Sequence, residues 1–62
     1  MSNRVDVYFW KKYCSIVVPL DASEMTQEER ENNVFLFQTA EEMAGLDGVD
    51  VSDCEGRIVW ES

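Results

Sequence analysis

Residues 4–10, RVDVYFW, alternate with a period of two: Val5, Val7 and Phe9 fall on one side, Asp6, Tyr8 and Trp10 on the other. β-Branched and aromatic side chains on that period predict a strand. Both of its sides carry large apolar groups, and this constrains the fold more than any other feature. The chain has only 62 residues. A domain of that size buries only about 60% of the surface its unfolded chain exposes, and little of it is left over to cover two faces of a sheet.

The remaining segments fill in an α+β reading. SIVVPL (15–20) predicts a second strand, with Pro19 at its end or on a sheet edge because proline cannot donate to a ladder. The connection KKYC lacks the Asn-Gly or Asp-Gly chemistry of a two-residue hairpin, so a wider loop or a bulge is expected there. Thr26 followed by Glu29 fits a capping box, but Asn32 and Asn33 end any helix from about Gln27 early and no apolar stripe supports it, so a short polar helix or an ordered loop is expected. NVFLFQ (33–38) reads as a strand from its aromatics and length. TAEEMAGLDG (39–48) reads as a helix, with Thr39 and Glu42 as a capping box, Ala40, Met43 and Leu46 as its apolar stripe, and Asp47-Gly48 as its stop. RIVWE (57–61) predicts a last strand, with Ile58 and Trp60 on one face.

The expected fold is a single small domain, residues 1–62: an antiparallel β-sheet of three to four strands with one short α-helix packed on one face. One such helix leaves the other face open. Some of Tyr8, Trp10, Val17, Phe35, Phe37 and Trp60 are therefore expected to face a partner or a second copy of the chain.

Charge narrows the partner. The net charge is −8, and it is unevenly distributed. Residues 1–20 hold three cations against one acid, whereas residues 21–62 hold twelve acids against Arg30 and Arg57. That balance argues against binding nucleic acid through its phosphates and against anionic membranes. No apolar run approaches the length of a membrane span, and the N-terminus lacks a signal peptide's apolar segment, so a cytoplasmic protein is expected.

Catalytic chemistry finds no foothold in the sequence. The chain has no histidine, which removes the commonest general base and metal ligand. Cys14 and Cys54 cannot make a zinc site and read as small core residues, with a 14–54 bridge as the minority alternative. The three glycines form no phosphate-cradling loop, and DGVDVSDCE (47–55) does not match a calcium-loop spacing. No enzyme, cofactor or metal is expected.

The acids remain. DASEMTQEERENN (21–33) holds five of them, and in a helix Glu24, Glu28 and Glu31 would line one side, with Glu29 adjacent. Glu41 and Glu42 begin the second helix, and Asp47, Asp50, Asp53 and Glu55 follow in its exit. Solubility is the plain account of such a surface. The functional account is a dense carboxylate array that approximates a nucleic-acid backbone and is steered to a basic groove, with Tyr8 or Trp10 as buried anchor.

In size and charge the chain resembles the small acidic proteins that phages encode against host machinery, such as anti-restriction proteins, anti-CRISPR proteins and inhibitors of host polymerases. The resemblance is one of composition. It implies a non-enzymatic inhibitor acting in the host cytoplasm on a basic, nucleic-acid-binding protein. The alternatives are a homodimeric assembly module joined through the second sheet face, and an immunity-type protein against a basic nuclease.

Overall fold

The computed structural model describes residues 3–61. Strands β1 (Arg4–Lys11) and β2 (Cys14–Asp21) form a hairpin in unbroken register, from Arg4 opposite Asp21 to Lys11 opposite Cys14. Only Lys12 and Tyr13 make the turn, so the wider loop or bulge expected at KKYC is replaced by a two-residue connection. Neither residue has a positive φ. The Asn-Gly preference belongs to turns that require positive φ, and it does not apply here.

The chain then forms α1 (Gln27–Glu31) and α2 (Asn33–Leu46), and returns as β3 (Glu55–Trp60) beside β1. The sheet is antiparallel with order β2-β1-β3. Pro19 lies in β2, an edge strand, where a missing N–H is tolerated. The architecture is the small α+β fold expected, with three strands and two helices in the order ββααβ.

The capping box on α1 is present. Thr26 Oγ1 accepts the Glu29 N–H at 3.1 Å and Glu29 Oε1 accepts the Thr26 N–H at 2.9 Å. NVFLFQ, however, is the first half of α2 and not a strand. Asn32 caps this helix, its Oδ1 accepting the Phe35 N–H at 3.1 Å. Thr39 lies in the interior, where its hydroxyl donates to the Phe35 carbonyl at 2.8 Å.

The buried stripe of α2 is Leu36, Ala40 and Ala44, four residues apart, while Leu46 is 88% exposed and Met43 42%. The physical reason is cover. Val5, Val7 and Phe9 of β1 and Val18 and Leu20 of β2 make one apolar sheet face. A helix that begins at residue 33 spans this face, whereas a fourth strand would leave it wet. Ala40 and Ala44 keep the helix close, and Phe9 and Phe37 meet ring to ring at 6.2 Å. The helix stops where expected. Gly48 has φ +80, its N–H reaches the Gly45 carbonyl at 3.0 Å, and the Val49 N–H reaches the Ala44 carbonyl at 2.9 Å. This is the glycine-ended cap that satisfies the last carbonyls.

Candidate functional site

Helix α2 covers one face of the sheet, and α1 packs beside α2. Strand alternation places Arg4, Asp6, Tyr8 and Trp10 of β1 on the other face, with Ser15, Val17 and Pro19 of β2 and Glu55, Arg57 and Val59 of β3 beside them. At its centre Val17 is 49% exposed, Tyr8 41%, Val59 40% and Trp10 37%. Tyr8 pairs with Val17, and Trp10 and the exposed Pro19 follow them along the same strands as an apolar patch, whereas Asp6 stands between Pro19 and Val59.

Of the residues expected to face outward, Tyr8, Trp10 and Val17 lie on this patch. Phe35 and Phe37 do not, because they belong to α2 and pack, half buried, against the core. Trp60 pairs with Val5 and so projects on the helical side, where the Arg30 guanidinium stands 5.9 Å from its ring centroid. Val59 and Arg57 were not legible as part of the surface, because only the register of β3 against β1 brings them there.

Ion pairs on the open face gather at one end. Arg4 Nε lies 3.5 Å from Asp6 Oδ1 and 3.3 Å from Glu61 Oε2. Asp6 Oδ1 is buried and accepts no hydrogen bond among the described residues, so the Arg4 contact is its electrostatic compensation. Arg57, beside Tyr8, has no ion-pair partner among the described residues.

The carboxylates singled out in the sequence lie mainly on the other side. Glu28, Glu29 and Glu31 are on α1, but Glu24 precedes that helix, so the expected row of Glu24, Glu28 and Glu31 along one helix does not form. Glu29 is engaged in the capping box, and Glu31 Oε1 accepts from Gln27 Nε2 at 3.2 Å. Glu41 and Glu42 sit in the second half of α2, exposed, and not at its start.

Asp47 caps the C-terminus of α2, and Asp50 and Asp53 occupy the segment that returns to the sheet. Asp50 Oδ1 accepts the Ser52 N–H at 3.0 Å and Asp21 Oδ1 accepts the Ser23 N–H at 2.9 Å. Those backbone N–H bonds hold both carboxyls below the ordinary aspartate value. Asp53 pairs with Lys11 at 3.5 Å.

Glu55, opposite Trp10, is the one carboxylate of the expected set on the open face. Tyr8 and Trp10 therefore stand back to back with the acids of the helical layer. A single flat contact engages one set or the other.

Both thiols are free. Cys14 is exposed at the head of β2, so it is not the core residue expected, whereas Cys54 is half buried against the core. Among the described residues no three cysteine or carboxylate side chains gather as metal ligands would, and no helix is long and apolar enough to cross a membrane. No protein-family model matches the chain, and no curated protein or solved structure matches it either.

Proposed function

We propose that the protein is a non-enzymatic regulator that occupies the basic, nucleic-acid-binding surface of another protein. The observation that supports this reading is the excess of unneutralised carboxylates on the helical layer and its connections. Glu24, Glu28, Glu31, Glu41, Glu42, Asp47 and Asp50 have no ion-pair partner among the described residues. Interspersed cations, the usual device of a merely soluble surface, are nearly absent around them. Such a surface raises the encounter rate with a positive groove and repels nucleic acid itself.

The test is capture on the immobilised chain from a cell lysate at low and high salt. The proteins recovered are then assayed for binding to a fluorescent DNA duplex with and without added chain. The expected result is a basic protein that elutes as salt screens the contact and releases its duplex when the chain is added. The variant E28Q/E29Q/E31Q should lose most of this binding. Glutamine at 29 keeps the oxygen that the capping box needs, so a loss reports charge and not unfolding. Unchanged affinity in that variant would refute the role given to α1.

A further inference from the structure

We infer that the open sheet face is an isologous interface, on which a second copy of this chain packs sheet to sheet with the carboxylates of both helical layers turned outward. This goes beyond the proposed function and does not depend on it.

Charge argues for a second copy as the occupant. Nine of the thirteen acids lie off the open face, on residues 24–53. The face itself carries Arg4 and Arg57 against Asp6, Asp21, Glu55 and Glu61, and Arg4 already neutralises two of these. Packing face to face thus brings together the least charged surfaces of a strongly acidic chain.

Arg57 supplies the second argument. It stands on the edge strand β3 beside Tyr8 of the central strand, and among the described residues it has no carboxylate partner. A basic partner protein would leave it facing like charge. A second copy brings carboxylates. In rows across the sheet, Tyr8 is beside Arg57 and Trp10 is beside Glu55. A two-fold axis running across the strands between these rows sets Tyr8 of each copy against Trp10 of the other, and Arg57 against Glu55. Self-complementarity of this kind is what a two-fold interface requires, because each contact then occurs twice.

About this axis the Tyr8 and Trp10 rows lie over one another, six side chains from each copy with the turn residues beside them, which places the interface among small, weak contacts of under about 1,200 Å² in total. The dimer is therefore expected to be reversible at micromolar concentrations.

The experiment is sedimentation equilibrium of the full chain alone, from about 5 µM to about 1 mM, with circular dichroism to confirm folding of each variant. The wild type should dimerise, and its Trp10 emission should shift to the blue as concentration rises. R57E sets two carboxylates against each other on both sides of the axis, at its β3 end, and should weaken the dimer roughly tenfold, and E55R should do the same with two guanidinium groups. The double variant R57E/E55R should recover to within about threefold of wild type, a rescue that no loss of folding imitates. E28Q/E29Q/E31Q should dimerise as well as wild type, which separates this interface from the surface proposed to meet a basic protein. A wild type that stays monomeric to the top of the range, or a double variant as weak as the single ones, would overturn the inference.

Discussion

The ring of Phe37 lies where a side chain at residue 56 would begin: a β-carbon built on Gly56 meets Phe37 Cε1 at 2.7 Å and Cδ1 at 3.3 Å. Glycine at this position lets α2 rest its aromatic ring directly on β3. The same ring leans on Phe9, so its freedom to retreat is limited.

G56A is therefore expected to destabilise the fold by about 1–2 kcal/mol through overpacking. Urea unfolding measures it. Combined with F37L, which shortens the opposing group, the cost should fall, giving a coupling of at least about 0.5 kcal/mol. Strict additivity of the two changes would show that the close approach carries no strain.

Leu36 and Leu46 occupy the same helix with opposite fates, the first fully buried and the second 88% exposed. L36A should cost about 2–5 kcal/mol. A chain of this length holds roughly 3–9 kcal/mol in all, so the variant is expected to lose its cooperative thermal transition or keep only a remnant. L46A should stay within about 0.5 kcal/mol of wild type. Equal costs at the two positions would contradict the orientation of α2.

Acid should weaken the fold partly through Asp21 and Asp50. Their carboxylates accept the Ser23 and Ser52 N–H groups, which lowers both pKa values from the ordinary 3.8. A carboxyl with a depressed folded pKa stabilises the native state above its unfolded pKa. It loses that contribution as the pH falls through the folded value. Melting temperature should thus drop as the pH falls below the ordinary 3.8 and through those lowered values. In D21N/D50N the drop should be shallower, since asparagine keeps the turn acceptor without titrating. Parallel acid limbs in the two proteins would count against this assignment.

How much of this was visible in the sequence differs from element to element. The alternation of Val5, Val7 and Phe9 against Asp6, Tyr8 and Trp10 specifies a strand because the side-chain period of an extended chain is two, and any fold must respect it. The capping box at Thr26 and Glu29 and the stop at Gly48 are equally local, each closed within a few residues by hydrogen bonds or a backbone preference. NVFLFQ misleads because Phe35, Phe37 and Val34 favour strands by local preference, while their conformation is decided by what they cover. On the site, the excess of acids was countable, but their separation from Tyr8 and Trp10 was not.

By itself, then, the sequence determined the hairpin's alternation, the helix boundaries that carry their own caps, and a net charge of −8. Tertiary structure alone decided that residues 33–38 are helix and not strand, that Leu36 and not Leu46 is buried, and that Arg57 and Val59 join Tyr8 and Val17 on an open face. The physical reason is range. A cap or a pleat is settled between near neighbours along the chain, whereas burial is settled by which distant segments compete to shield one apolar sheet face from water.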